Sequence, residues 1–291
     1  MMDSPEILEP FFMGCDTKIP KIVSLSLSAM QKLITFEAVS PVAAINLINC
    51  LWNLMESGIE ELKLLQTVTL LISTNSVVHG DALAKGLALS FRLHFTKNQT
   101  TNNAASATVR QIVSVIFERA QKEDGDIVEQ QTTQCEYNFE ELKQGSRYPP
   151  KSLRSAAGDA FLLLQDLIQL VNADQPFWLN GLTEMTRTFC LELLETIFTN
   201  FPELFFKHEE FGFLLKEKVC PLVIKLFSPN IKYKPQHGNH MLPASLANQQ
   251  NLAQQSSLMS TDKPFYPISM RLLRIVNVLI QKFYTMLVSD F

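Results

Sequence analysis

The residues best placed for chemistry in this sequence are two pairs at helical spacing. His237 and His240 stand three residues apart, a spacing at which two imidazoles on a helix can ligate one metal ion. Their neighbours are Gly, Asn and Gln and no third ligand is near, so we predict no metal site. Glu184 and Arg187 have the same spacing and could act as a catalytic pair. An exposed ion pair on one helix face is the commoner outcome of that spacing.

Sequence motifs of catalysis are absent from the rest of the chain. There is no Gly-rich phosphate loop, GxSxG or HExxH, and His79, His94 and His208 are isolated. The five cysteines form no CxxC, and four lie in apolar surroundings, which is typical of buried reduced thiols in a cytosolic protein. We therefore predict a protein that is not an enzyme and binds neither metal nor cofactor.

The composition and charge of the chain argue against some classes of binding partner. The 291 residues are 46% hydrophobic and 19% charged with only 10 Gly, which favours a folded, helical chain. A net charge of -4 with no basic stripe argues against nucleic acid. No apolar run approaches the roughly 20 residues that span a bilayer, and the N-terminus lacks the pattern of a signal peptide. Any membrane contact is expected to be peripheral.

The elements that must position these residues are helices. Ser40 and Pro41 predict a helix start and Gly58 predicts its end. Further helices are predicted at about 60–73, from Asp81 as cap to His94, and at about 104–121. Two inward faces are predicted, one made of Ile22, Leu25, Ala29, Met30, Leu33 and Ile34, and one of Val42, Ile45, Ile48, Trp52 and Met55.

Helix pairs recur at intervals of roughly forty residues with short turns between them. This spacing predicts an all-α fold, an armadillo/HEAT-like helical solenoid of stacked helix pairs, since each pair buries its apolar face only against its neighbours. The repeats share no sequence similarity, so a compact helix bundle stays open as the alternative.

Two polar, aperiodic segments divide the chain. They predict a first domain at 1–121, a polar linker at 122–150 and a second domain at 151–291 that contains a disordered loop at 232–263. The last helix, which follows this loop, is apolar over more than half of its circumference. We expect a further helix to pack against it.

The stretch "LIQLVNADQPFWLNG" (167–181) lies between two amphipathic patterns and reads as a corner between helices. We expect Asn172 to end the first helix and Asp174 to cap the second, with Pro176 in its first turn. Trp178 is then a core residue.

Longer stretches carry a family resemblance. "TTNNAASATVRQIVSVIFERA" resembles part of the dimerisation and cyclophilin-binding domain of large Arf guanine-nucleotide exchange factors. The stretch "FLLLQDLIQLVNADQPFWLNGLTEMTRTFCLELLETIFTNFPELF" resembles the start of their homology-upstream domain. "ELKLLQTVTLLISTNSVVH", "FRLHFTKN", "LLKEKVCPLVIKLFSPNIK" and "RLLRIVNVLI" are similar to the monensin-sensitivity family of Golgi and endosome scaffolds.

The resemblance implies a non-catalytic part of a larger trafficking scaffold, beginning within the first domain and stopping before the second is complete. It implies a cytoplasmic protein held peripherally on trans-Golgi and endosome membranes, acting in endosome-to-Golgi sorting. A Dopey-type scaffold protein, an Arf-like small GTPase and a phospholipid flippase are the implied partners, with a homodimer through the first domain. Two alternatives stay open: a regulatory module of an Arf exchange factor, and a peripheral membrane-binding solenoid.

Candidate binding residues follow from both lines of reasoning. The part of the exchange factors thought to meet Arf-like GTPases resembles the region that holds Arg92, His94, Lys97, Arg110 and Arg119. Solubilising charge is the alternative reading of these side chains. Lys225, Lys232 and Lys234 are the candidate lipid-facing residues, because basic residues near a surface attract anionic lipid.

Overall fold

The structure is a stack of α-helices. The computed structural model describes residues 7–74, 77–125, 139–182, 187–227 and 266–288, and none of these forms a β-strand. The helices are α1 Glu9–Asp16, α2 Pro20–Thr35, α3 Pro41–Ser57, α4 Glu61–Thr74, α5 Gly80–Leu93, α6 Gln99–Gly125, α7 Phe139–Gln144, α8 Ser155–Asn172, α9 Arg187–Asn200, α10 Pro202–Lys207, α11 Glu209–Leu214, α12 Cys220–Phe227 and α13 Tyr266–Val288. A π-helical turn, Leu215–Val219, joins α11 to α12.

Most helices pack on helices one or two places along the chain, whereas α13 packs back on α9. Helix α4 packs on α2 and α6, α6 on α5 and α8, α8 on α9, and α9 on α13. The buried side chains form one continuous apolar cluster that reaches from Leu8 to Phe283. The prediction of an all-α solenoid of stacked helices is therefore confirmed.

The ends of α3 follow from local sequence. The Ser40 side chain accepts a hydrogen bond from the Ala43 N–H at 3.3 Å, and Pro41 opens the helix. Gly58 ends it at a φ of +66°, in the left-handed region that suits glycine. All three predicted roles are confirmed.

The predicted inward face of α3 is partly wrong. Val42 is 63% exposed and Ile45 is 49% exposed, whereas Ala43, Ala44 and Leu47 are buried. The helix carries apolar residues on two neighbouring stripes, so periodicity alone does not decide which stripe faces the core. The small Ala43 and Ala44 face inward, where their size lets neighbouring helices approach closely.

The face of α2 shows the same error. Leu25 is 73% exposed and Ile22 is 40% exposed, while Val23 and Leu27 are buried beside the correctly predicted Met30 and Ile34. Helix α1, which packs on α2, has no counterpart among the predicted helices. The α1–α2 surface therefore presents more apolar area than the sequence pattern indicates.

Two predicted boundaries also change. Helix α5 begins at Gly80 with His79 in the capping position, so Asp81 lies in the first turn instead of capping the helix. Helix α6 begins earlier than predicted because the Asn98 side chain accepts hydrogen bonds from the N–H groups of Thr100 and Thr101. It ends at Gly125, beyond the predicted domain boundary at 121.

Part of the predicted linker at 122–150 is folded. Residues 122–125 complete α6 and residues 139–144 form α7. The Ser146 N–H donates to Gln165 Oε1 at 3.2 Å, and Gln165 Nε2 donates to the Ser146 carbonyl at 2.8 Å. The segment after α7 is thereby fixed to α8. The predicted loop at 232–263 lies outside the described residues.

Helix α13 leaves one side uncovered. Leu272, Ile275 and Phe283 face the core. On the opposite side Leu273 is 54% exposed and Ile280 is 61% exposed, within a stripe of exposed residues spaced three and four apart, which are Met270, Leu273, Asn277, Ile280, Tyr284 and Val288. This apolar stripe agrees with the expectation that a further helix packs here.

Candidate protein-interaction surface

Asp166 organises the corner between α8 and α9. Its buried carboxylate accepts main-chain N–H groups from Phe177 at 2.8 Å, Trp178 at 2.8 Å and Leu179 at 2.7 Å. Burial raises the pKa of the Asp166 carboxyl, and the three N–H groups oppose part of that shift. The sequence reading did not identify this role, which depends on residues eleven to thirteen positions away.

The corner itself is confirmed, with two corrections. Asn172 is the last residue of α8, and Ala173 follows in the left-handed conformation at φ +67°. Trp178 is buried, at 1% exposure. Asp174 does not cap the next helix and Pro176 does not lie in its first turn, because residues 173–182 are non-helical and α9 begins at Arg187. Asp174 instead accepts a hydrogen bond from the Asn172 side chain.

Arg92 lies on the exposed side of α5, against Trp52. Its guanidinium carbon is 5.0 Å from the centre of the indole ring, and its Nη1 is 3.8 Å from Glu56 Oε1. The indole N–H donates to the same Glu56 oxygen at 2.9 Å. Trp52, predicted to face inward, is only partly buried and so presents an aromatic face beside a cation.

His94 packs between the first and second halves of the chain. Its ring stacks on Phe189 at 4.6 Å between centroids, and Nδ1 is 2.7 Å from the Ser106 hydroxyl. Burial lowers the pKa of His94, and the nearby positive charge of Arg110 lowers it further. These contacts give His94 a packing role.

Arg110 and Arg119 are both bonded within the molecule. Arg110 Nε donates to Glu192 at 2.7 Å, and its guanidinium lies 5.1 Å from the centre of the Phe189 ring. Arg119 donates to the main-chain carbonyls of Val78, at 3.1 Å, and Ile72. Burial lowers the pKa of Arg119. Charge reversal at Arg119 would break bonds to two main-chain carbonyls, whereas the Arg110 side chain is 45% exposed and its pair with Glu192 is open to water.

The candidate lysines differ in position. Lys97 is exposed in the bend between α5 and α6, beyond Arg92. Lys225 is exposed at the end of α12, where its ammonium donates to Asn172 Oδ1 at 2.7 Å. Lys232 and Lys234 lie outside the described residues, as do His237 and His240. A common face for the three candidate lipid-facing lysines therefore stays a prediction.

His79 and His208, expected to be isolated, join distant segments. His79 Nδ1 is 2.9 Å from Asp159 on α8, and His208 Nε2 is 2.8 Å from Asp124 at the end of α6. Glu123 accepts the N–H groups of residues 156 and 157, which are the free donors at the start of α8. Through these hydrogen bonds and ion pairs, the segment up to residue 125 is joined to the segment that follows residue 154.

The described residues show neither a metal site nor a membrane-spanning helix. No group of three or more His, Cys, Asp or Glu side chains in this part of the chain is arranged to hold a metal ion. No helix within the described ranges has both the length and the apolarity needed to cross a membrane.

Two family models match the chain. Residues 1–124 match the dimerisation and cyclophilin-binding domain of Mon2/Sec7/BIG1-like proteins. Residues 156–237 match the HUS domain of the same proteins. The chain belongs to the Mon2/Sec7/BIG1-like family. The two matched ranges meet at α6 and α8, which Glu123 joins, and at the start of α5, which Asp159 joins to α8.

Relatives in this family extend over the whole chain. It is 53% identical to human "Protein MON2 homolog" over 99% of its length, and 50% identical to the Drosophila melanogaster protein of that name over 98%. It is 41% identical to Caenorhabditis elegans "Monensin-resistant homolog 2" over 98%. The chain spans only 16–17% of the length of these three relatives. No solved structure is significantly similar to it.

Proposed function

We propose that this chain is a non-catalytic protein-interaction part of a membrane-trafficking scaffold. Membership of the Mon2/Sec7/BIG1-like family supports this proposal, as does the match of 1–124 to a domain named for dimerisation and cyclophilin binding. The site of action is the cytoplasmic face of trans-Golgi and endosome membranes, where the protein is held peripherally and serves endosome-to-Golgi sorting.

The proposal rests on the hydrogen bonds that buried polar side chains make among the described residues. Asp166 and Arg119 are engaged with main-chain groups of their own matched domains, and Asp159 on α8 accepts the Gly80 N–H of the first matched domain. Such groups stiffen a fold and leave none of them poised for catalysis. A rigid helical stack with exposed faces suits binding of other proteins.

The partners are proposed by family. They are a Dopey-type scaffold protein, an Arf-like small GTPase, a phospholipid flippase and a second copy of the chain through residues 1–124. The GTPase contact is proposed at the end of α5, where Arg92 and Lys97 are exposed, because GTPase effector contacts are often partly electrostatic.

The test measures affinity for a GTP-loaded Arf-like protein by isothermal titration calorimetry. The Arg92→Glu/Lys97→Glu variant is expected to bind at least about ten-fold more weakly than wild type, because two favourable charges become repulsive. The control is Lys21→Glu/Lys32→Glu, which reverses two exposed charges on α2. Equal affinity in all three proteins rules out the end of α5. Absence of binding to wild type removes the GTPase from the proposal.

A second candidate, a regulatory module of an Arf exchange factor, is favoured by the Sec7-like family match. Adding the purified chain to an Arf exchange factor and measuring nucleotide exchange on Arf tests it. A change in the exchange rate supports the regulatory role, and an unchanged rate supports the scaffold. Co-sedimentation with vesicles, with and without acidic lipid, separates both from direct membrane binding.

A further inference from the structure

A cleft lies where the two matched domains meet. Its volume is about 400 Å³, and four separate stretches of chain line it: α3, the start of α5, the segment before α8 and the corner after α8. Both tryptophans of the protein, Trp52 and Trp178, take part. The volume is within the range of roughly 300–1,000 Å³ that is usual for ligand pockets.

The floor of the cleft is apolar, and Gly181 lies close to its aromatic wall. Ala84 and Trp178 lie in the floor, and Trp52 forms one side. Gly181 meets the edge of the Trp52 indole so closely that a Cβ atom at this position would lie 3.3 Å from Cη2. Gly181 also has a φ of +86°, which disfavours other residues. The absence of a side chain at position 181 therefore leaves the space that the edge of the indole needs.

The rim is basic. Lys85 Nζ lies 5.3 Å from the centre of the Trp52 indole and donates to Asn49 Oδ1 at 2.7 Å. Arg147 is half exposed, and its Nη2 is 3.3 Å from Asp81 Oδ2. Asp81 is 72% exposed, so this pair is open to water and can exchange its partner. The cleft thus combines two cations and one accessible carboxylate above an apolar floor.

We propose that this cleft binds a short acidic peptide segment that carries one large apolar side chain. The apolar side chain enters between Trp52 and Trp178. The flanking carboxylates meet Lys85 and Arg147, and one of them replaces Asp81 as the partner of the guanidinium, which can pair with a carboxylate through two N–H groups. Arg92 of the proposed GTPase contact packs on the same Trp52 ring, so the two sites adjoin. Lys85 and Arg147 distinguish the cleft, because the Arg92→Glu/Lys97→Glu variant leaves both of them unchanged.

The occupant follows from the charges and the shape. The two cations, Lys85 and Arg147, face one exposed carboxylate, Asp81, and so leave an uncompensated positive charge at the rim, which favours an anionic ligand. An isolated anion would leave the apolar floor empty, whereas an aromatic or leucine side chain fills it and excludes water. A peptide supplies both groups on one short chain.

The experiment titrates the 291-residue chain with acetyl-Glu-Asp-Phe-Asp-Glu-amide. Tryptophan fluorescence and isothermal titration calorimetry are recorded together, because the only two tryptophans both line the cleft. We expect saturable binding with a change in fluorescence. Binding is expected to weaken when the salt concentration rises from about 0.05 to about 0.5 M, since exposed charges are screened.

Two comparisons decide the result. The Lys85→Gln/Arg147→Gln variant is expected to bind at least about ten-fold more weakly, because two charged donors are lost. The Lys21→Glu/Lys32→Glu protein, whose changes lie on α2, is expected to bind like wild type. Circular dichroism establishes that both variants are folded.

Four outcomes would overturn the proposal: no heat of binding with wild type, equal affinity for acetyl-Lys-Lys-Phe-Lys-Lys-amide, unchanged affinity in the Lys85→Gln/Arg147→Gln variant, or displacement of the peptide by inorganic phosphate at an equal concentration. The last outcome would identify a simple anion site.

Discussion

Replacing Asp166 tests how the corner after α8 is held. Asn at this position keeps the shape of the side chain and one carbonyl oxygen. Oδ1 accepts the Phe177 N–H, and Oδ2 accepts those of Trp178 and Leu179. The better orientation of Asn keeps the two bonds at Oδ2 and sets its NH2 group against the Phe177 N–H. One donor then loses its acceptor.

The magnitude follows from the number of lost acceptors. Leaving one buried N–H unsatisfied costs about 1–3 kcal/mol, so Asp166→Asn is expected to lower the free energy of unfolding by that amount. Asp166→Ala removes all three acceptors, and we expect a loss of about 3 kcal/mol or more. For a chain of this size each kcal/mol corresponds to roughly 2–3 °C in Tm.

Urea unfolding, followed by circular dichroism and tryptophan fluorescence, measures both values. The control is Asp174→Asn, which changes an exposed carboxylate in the same corner and is expected to alter stability by no more than about 0.5 kcal/mol. If Asp166→Asn is as stable as the control, the carboxylate does not hold the corner. If the Ala variant is no less stable than the Asn variant, the loss of stability does not depend on the number of N–H groups left without an acceptor.

Three further predictions concern packing, pH and the uncovered face of α13. Trp178→Ala is expected to lower the free energy of unfolding by about 3–5 kcal/mol, as for other buried aromatics, and a wild-type Tm in calorimetry would refute this. His94 has a pKa lowered below 6.5, mainly by burial, so the unfolded state binds more protons than the folded state between the two pKa values. The free energy of unfolding therefore falls as the pH drops below 6.5. The His94→Gln variant should lose less Tm than wild type between about pH 7.5 and 5.5. Equal losses of Tm in the two proteins would contradict this prediction. Leu273→Gln/Ile280→Gln is expected to reduce self-association in light scattering while stability changes by about 0.5 kcal/mol or less, since both side chains are exposed. A fall in Tm of several degrees would show that they are packed.

Helix ends were predictable here where a single residue determines them. Ser40 and Gly58 act through bonds and backbone conformation within four residues, so their roles are visible in the sequence. The start of α5 was missed because no side chain of that stretch caps it, and Asp159 from α8 accepts the Gly80 N–H instead. A contact across 79 residues leaves no local pattern.

Helix faces were harder to predict than helix ends. In α8 the regularly spaced apolar residues Phe161, Leu164 and Val171 are all buried, because this helix is enclosed and nearly every side chain faces protein. In α3 the exposed Val42 and Ile45 lie beside the buried Ala43 and Leu47. Two apolar stripes one residue apart give the same period, and only tertiary packing selects between them.

Spacing in the sequence also fails to show which charged side chains of the candidate site have partners within the fold. Arg110 and Arg119 belong to the same charged pattern as Arg92 and Lys97, yet Arg119 is bonded to main-chain carbonyls, while Arg110 stays exposed and pairs with Glu192. What separates them is the identity of the facing element: Glu192 for Arg110, and the carbonyls of Ile72 and Val78 for Arg119. Spacing on one helix carries no information about these partners.

The long-range polar contacts explain why a cleft exists between the two matched domains. Apolar faces tolerate sliding, but Glu123 can reach the free N–H groups of α8 in only one register of α6 against α8. That register sets the cleft: Trp52 and Lys85 come from the first domain, and Trp178 and Gly181 from the second. A ligand that contacts both sides therefore binds only the registered arrangement and stabilises it by mass action. The side chains that join the two domains are not those that line the cleft, but they fix the positions of the helices that carry the lining residues.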